Sequence, residues 1–271
     1  MTPLNRLLNP AFDLLLGALR PAGIVMSLAV LSLLTAMAIL LVVRATSDQP
    51  ALAAVKRQIH ADLFEIRLFN DDLRAMLRAE ADILRHNATY LRLSLGPMVW
   101  MLVPAALAAA QLQSYYGYSG VDVGRPVLVT AQFKPGRRPS AALEAPAAIS
   151  VETPAISLPA PNQVVWRIVG TAPGDYELRL RTADGAYAKT VHLSGGLARR
   201  SPVRLAPRLL DEITYPSEAP LPDSAPISMI RVDYPQEGIQ LFGRPVHWTV
   251  LYIVLSLVFA VVLRRPLGVT I

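Results

Sequence analysis

Residues Ala22 to Val43 read AGIVMSLAVLSLLTAMAILLVV, 22 residues without a charge. At about 1.5 Å per residue such a run crosses a hydrocarbon core of about 30 Å, so it constrains the chain to a membrane helix before anything else is read. Leu95 to Leu112 is a second uncharged run, containing Pro97 and Pro104, and the tyrosines at 115, 116 and 118 that follow suit an interfacial aromatic belt. The prolines free backbone carbonyls, which predicts a kink packed against protein. Val246 to Leu263 is a third run, opening on His247 and Trp248 and stopping at Arg264 and Arg265. A hydrophobic fraction of 53% in 271 residues fits a chain partly covered by lipid.

The basic residues orient these spans. Residues 44–94 carry Arg44, Lys56, Arg57, Arg67, Arg74, Arg78, Arg85 and Arg92, and a short loop this rich in Lys and Arg is normally cytoplasmic. Residues 264–271 then fall on the same side. The expected fold class is therefore a membrane α-helical protein with three transmembrane helices (22–43, 95–112 and 246–263), N-terminus out and C-terminus in. Residues 119–245 form an extracytoplasmic domain. Residues 1–21 precede the first span, with Leu7, Leu8, Phe12, Leu15, Leu16 and Leu19 at helical spacing and Asn5, Arg6, Asn9 and Asp13 mostly elsewhere. This predicts a retained interfacial helix, interrupted at Pro10.

In residues 44–94, Leu52, Val55, Ile59, Leu63 and Ile66 mark one helix face, and Leu73, Met76, Leu77, Glu80, Ile83 and Leu84 mark a matching stripe on a second helix capped by Asn70. The expectation is a cytoplasmic helical hairpin turning at Phe69 and Asn70, its stripes buried against each other. Its basic residues Lys56, Arg57, Arg67, Arg74, Arg78 and Arg85 offer either a solvated surface or a docking site. His60 and His86 lack a second ligand at metal spacing, and the acceptor pattern Asn87-Ala-Thr89 is of no use on the cytoplasmic side.

Residues 127–133, 164–169, 176–181 and 187–193 are short, β-branched or aromatic segments with turns at 173–175 and 183–185. Tyr176, Leu178 and Leu180 alternate with Glu177, Arg179 and Arg181, as in a half-buried antiparallel strand. A small Ig-like β-sandwich is expected, with one further strand near 148–152 in a Pro- and Ala-rich stretch, Pro-rich linkers, and a last strand around 227–233. Ser194-Gly195-Gly196 reads as a turn and His192 as a strand residue, so no catalytic frame, phosphate loop, metal site or cofactor motif is apparent. With no cysteine, disulfides and thiolate chemistry are excluded. The net charge of +6 is not interleaved with aromatics in the way that nucleic-acid stacking requires.

An interfacial N-terminal helix, the span AGIVMSLAVLSLLTAMAILLVV, a charged hairpin from Ala51 to Leu93 and a second span LRLSLGPMVWMLVPAALAAAQLQ together resemble the Oxa/YidC insertase superfamily, which includes the insertase subunit of the ER membrane complex. The resemblance is one of architecture, over about 110 N-terminal residues and the last span. It implies a bacterial inner-membrane protein with its β domain in the periplasm, which assists insertion or assembly of other membrane proteins through a polar groove. Ser27, Ser32, Thr35, Gln111, Gln113 and Ser256 are the candidate groove residues, or interhelical hydrogen bonds. The implied partners are the bilayer, nascent membrane proteins or the ribosome. The β domain interrupts the family pattern, and none of the three spans holds the basic residue some members carry. A second reading is a membrane-anchored scaffold or accessory subunit whose β domain binds an extracytoplasmic protein.

Overall fold

The computed structural model describes residues 2–68, 73–193, 196–236, 238–241 and 243–269, without the side chains of residues 49, 65, 67, 73, 75 and 76. The expected hairpin turn at Phe69 and Asn70 lies outside the described residues. The chain combines apolar helices with antiparallel β-sheet and divides into two compact units, Met1–Ser27 with Leu107–Trp248, and Leu28–Ala106 with Thr249–Ile271.

In the first unit, helix α1 (Pro3–Leu19) starts with Pro3 in its first turn, where a missing N–H costs nothing, and the Thr2 hydroxyl accepts from the Asn5 amide. Contrary to the expected interruption, α1 runs through Pro10. The proline removes one hydrogen bond, to the Arg6 carbonyl, and the many side-chain bonds described below hold the helix on either side of it. A short 3-10 turn at Arg20–Ala22 leads to Gly23, whose positive φ of 82° admits the change of direction.

The rest of this unit is a β domain. One sheet has the order β3 (Ile149–Val151), β5 (Gln163–Gly170), β1 (Pro126–Phe133), β9 (Ile227–Val232) and β8 (Val203–Leu205), with β4 (Ile156–Leu158) also on β5. The other has the order β2 (Ala142–Glu144), β6 (Gly174–Thr182) and β7 (Gly185–Leu193). Alternation decides which side chains meet: Leu178 and Leu180 of β6 are buried while Glu177, Arg179 and Arg181 are exposed. With Val129, Ala131, Trp166, Ile168, Val191 and Ile230 they form one core shared by both sheets. The Pro- and Ala-rich stretch holds three short strands, β2, β3 and β4, rather than the one expected, because β5 and β6 each have an edge free for pairing.

The free edge of β7 is closed by side chains instead of a strand. The Thr190 amide donates to Glu218, the His192 amide to the Tyr234 hydroxyl, and the Arg204 guanidinium to the Ala188 carbonyl. Helix α5 (Leu209–Thr214) and the small β10 (Ile239–Leu241) and β11 (Arg244–Val246) pair complete the unit.

Helix α2 (Gly23–Thr46) and helix α4 (Leu73–Tyr116) each contribute to both units. In the second unit, α3 (Gln49–Leu68) and the first part of α4 pack as an antiparallel pair through Leu52, Val55 and Ala79. His86 Nδ1 lies 2.6 Å from Asp62 and Lys56 sits 5.4 Å over the Tyr90 ring. The single stripe expected on the second helix is in fact two faces. Ala79, Ile83, His86 and Tyr90 are covered or half-buried, whereas Leu77 and Leu84 are exposed at 55% and 71%.

α4 continues without interruption through Pro97 and Pro104. Pro97 is buried, as expected of a proline packed against protein, but Pro104 is exposed and so are Leu95, Met98, Val99, Trp100, Leu102 and Val103. After Pro104 the run AALAAA favours helix, and around Pro97 the leucines and methionines on either side do so as well. Helix α6 (Trp248–Leu263) has 16 residues, and starts later than expected because Arg244–Val246 is spent on β11. By length and composition, Pro3–Thr46 and Leu77–Tyr116 are able to cross a membrane, and α6 is a shorter apolar helix.

Candidate functional site

The six candidate groove residues fall in different units and are engaged in protein contacts. In the first unit, Ser27 is fully buried, donates to the Ile24 carbonyl at 2.9 Å and accepts from the Tyr116 hydroxyl at 2.9 Å. Gln111, 1% exposed, donates to Asn9 Oδ1 at 2.9 Å and accepts from Arg199 at 3.2 Å. Gln113 accepts from the Trp248 indole at 3.1 Å. In the second unit, Ser32 is fully buried and reaches the Tyr252 carbonyl at 3.4 Å, while Thr35 accepts from the Tyr252 hydroxyl at 3.0 Å. The Ser256 oxygen is enclosed one turn further along α6. Of the two meanings open for these residues, five have the interhelical or interdomain hydrogen bond. The bonds of Ser32 and Thr35 join α2 to α6, and in the same unit Leu28, Leu31, Ala36, Leu40 and Leu251 are buried.

The densest polar site is one the sequence did not single out. Asn5, Asn9 and Asp13 recur every four residues and so share one face of α1. An interfacial helix would turn that face to water, but here it faces protein. The Asn5 amide donates to the Glu212 carbonyl at 2.7 Å and the Asn9 amide to the Pro216 carbonyl at 2.9 Å. Asp13 accepts from the Tyr115 hydroxyl and, at 3.0 Å, from Arg199 Nε.

Arg199 is the hub of this cluster. Its fork reaches Asp13, Gln111, the Asn9 carbonyl and the Tyr115 hydroxyl, and its carbon Cζ lies 5.1 Å from the Tyr115 ring centre. Five donors in one rigid plane suit this task as no lysine would. The spacing of Asn5, Asn9 and Asp13 is a signal the sequence carries. Arg199 carries none, being one of two arginines in a loop after a strand.

With its polar face taken by protein, α1 turns Leu7 and Leu14 outward, 74% and 79% exposed. Helix faces are fixed by periodicity, but which face meets protein depends on the partners available.

Behind Arg199 a polar cavity of about 310 Å³ is lined by Asp13, Arg20, Asp175, His192 and Glu218 among others. Its floor is an ion pair in the β domain. Lys189 is 1% exposed, bonded to Glu218 and to the Ser201 carbonyl at 2.7 Å. Burial pushes the Lys189 ammonium below its ordinary value. Burial by itself would raise Glu218, but the Lys189 charge and the Thr190 amide hold its carboxyl below the usual range. His192 and Asp175 are cross-strand partners of β7 and β6 and contact each other at 2.5 Å. Lys189 with Glu218 and His192 with Asp175 are paired side chains, and the geometry builds a structural joint.

On the hairpin, Arg57, Arg74, Arg78 and Arg85 are exposed, and Arg85 pairs with Asp82 at 3.0 Å. Lys56 is half-buried over Tyr90, so it belongs to the joint between α3 and α4 more than to a docking surface. The Arg67 side chain lies outside the described residues. Neither a scan against protein-family models nor a search of curated proteins finds a match for this chain.

Proposed function

We propose that this chain is an integral membrane protein that assists the insertion or assembly of other membrane proteins, as the Oxa/YidC insertases it resembles do. In this reading α2, residues 95–112 of α4, and α6 cross a bacterial inner membrane with the N-terminus outside. The α3–α4 hairpin is cytoplasmic, where it meets nascent chains or the ribosome, and the β domain is an Ig-like sandwich in the periplasm.

The observation that carries the reading is the uncovered apolar stretch of α4, where only 6% of the most apolar 18-residue window is buried. One continuous helix thus joins a basic, water-facing hairpin to an apolar wall open to a client helix. Because Ser32 and Thr35 are spent on Tyr252, the client surface is the face of α4 bearing Trp100 and Val103 and not a wall of small polar residues. α6 supports the same reading. Its 16 residues reach about 24 Å at about 1.5 Å per residue, short of a core of about 30 Å, so the bilayer beside it thins. Thinning lowers the barrier to moving polar flanks of a client across.

Photoreactive residues at Trp100 and Val103 test this. Capture of many different newly made membrane proteins is the expected result. Capture of one stoichiometric protein would instead support the scaffold reading, which the hydrogen-bonded α2–α6 pair favours, and labelling of lipid alone would refute a client surface on α4.

The topology has its own test, made clean by the absence of cysteine. In intact cells an impermeant thiol reagent is expected to label Asp184→Cys and to spare Gln58→Cys until the membrane is opened. The reverse pattern would invert the orientation.

A further inference from the structure

One face of α4 has no partner among the described residues and carries an unbroken heptad pattern. Leu77, Leu84, Leu91 and Met98 fall seven residues apart and are 55%, 71%, 60% and 63% exposed. The positions between them, 81, 88, 95 and 102, are Ala, Ala, Leu and Leu, all exposed as well. Alternating steps of four and three residues place all eight on one stripe, the a/d seam of a left-handed coiled coil. The α3-facing residues Ala79, Ile83, His86 and Tyr90 lie on a separate face, and Trp100 and Val103 are offset from the seam by about 150° and about 90°. Lipid cannot cover the first half of the stripe, because Arg78, Glu80, Asp82, Arg85 and Arg92 flank it and keep that stretch in water.

The flanking charges say what covers it. The positions after Leu77, Leu84 and Leu91 are Arg78, Arg85 and Arg92, and the positions before Ala81, Ala88 and Leu95 are Glu80, Asn87 and Ser94. In a parallel pair of identical helices these rows meet each other, bringing Glu80 of one copy to Arg85 of the other and Asn87 to Arg92. An antiparallel pair would set the arginine rows together. We propose that two copies of this chain associate in parallel along the Leu77–Leu102 seam of α4. Parallel is also the only sense open to two copies anchored in one membrane in the same orientation, and the small Ala81 and Ala88 let the helices approach closely. The pairing goes beyond the client-handling reading and stands whether or not that reading does.

The test is disulfide formation in native membranes between single cysteines placed in the full-length chain, which has none of its own. Leu84→Cys and Leu91→Cys are expected to yield disulfide-linked dimers on mild oxidation, and Thr89→Cys, which points away from the seam, is not. Adding Glu80→Arg to Leu91→Cys is expected to lower the dimer yield about fivefold, as loss of two symmetric charge contacts implies, and combining it with Arg85→Glu to restore it. No dimer at either seam position, an equal dimer at Thr89→Cys, or a crosslink to a different protein would each overturn the proposal.

Discussion

Replacing Glu218 with alanine should lower the melting temperature of the β domain by about 10 °C in detergent-solubilised full-length protein. The substitution leaves the Lys189 ammonium, 1% exposed, without its counter-charge, and stranding one member of a buried pair costs about 3–5 kcal/mol. It also strips the Thr190 amide of its acceptor and so reopens the edge of β7. Glu218→Gln keeps the shape but not the charge, and its pH profile separates the two effects. The folded Glu218 carboxyl titrates below its unfolded value of about 4.3, so its contribution is complete above that pH and is lost as the pH falls through the depressed folded value. The stability gap between the natural protein and Glu218→Gln should therefore be constant near neutrality and close on acidification. Replacing both partners together, Lys189→Met with Glu218→Leu, should cost less than Glu218→Ala alone, because no buried charge is then left. A gap that stays constant down to pH 3 would show that the pair does not stabilise the fold through its charge.

The elements read most directly from the sequence are those in which a single period governs both faces. β6 is such a case: Leu178 and Leu180 against Arg179 and Arg181 follow from alternation alone, and the core confirms the register. α2 is another, since 22 uncharged residues leave one structural solution. β3 was expected near 148–152, but the short strands β2, β4 and β8 were not legible, because three residues carry too little periodicity and what orders them is an edge contributed from elsewhere in the chain. Faces of helices were legible as faces but not as contacts. Asn5, Asn9 and Asp13 read as a solvent-facing stripe until carbonyls of residues 212 and 216 and the Arg199 fork are placed beside them. On α4, Leu77 and Leu84 looked like the partners of α3 because large apolar residues dominate a pattern, yet the buried residue is Ala79 and the contacts to α3 are made by His86 and Tyr90. The candidate groove residues stayed open between two meanings for a related reason. A serine or threonine in an apolar span satisfies its hydroxyl on the nearest carbonyl or tyrosine, and sequence holds no record of which tyrosine that is.

Arg199→Ala should free α1 from the β domain while leaving the domain itself folded. From its loop after β7, Arg199 makes its bonds to two places far from it in sequence: the Asn9 carbonyl and Asp13 on α1, and Gln111 and Tyr115 at the end of α4. Removing it leaves Asp13 half-exposed and able to take water, so the loss falls on the buried Gln111 and on the Asn9 carbonyl, about 2–3 kcal/mol together. Amide exchange across Pro3–Leu19 should accelerate about a hundredfold, the ratio that such a loss implies, with exchange in β1, β5 and β6 unchanged. Arg199→Lys should recover only part of the protection, since an ammonium reaches Asp13 as a point charge but cannot also bond Gln111 and the Asn9 carbonyl in one plane. If α1 instead keeps its protection in Arg199→Ala, then Asn5 and Asn9, through the carbonyls of Glu212 and Pro216, hold the helix by themselves. The comparison decides whether α1 is fastened by one charged fork or by neutral amides spread along its length, and so whether its outward Leu7 and Leu14 are presented on a rigid mount or on one that a single side chain controls.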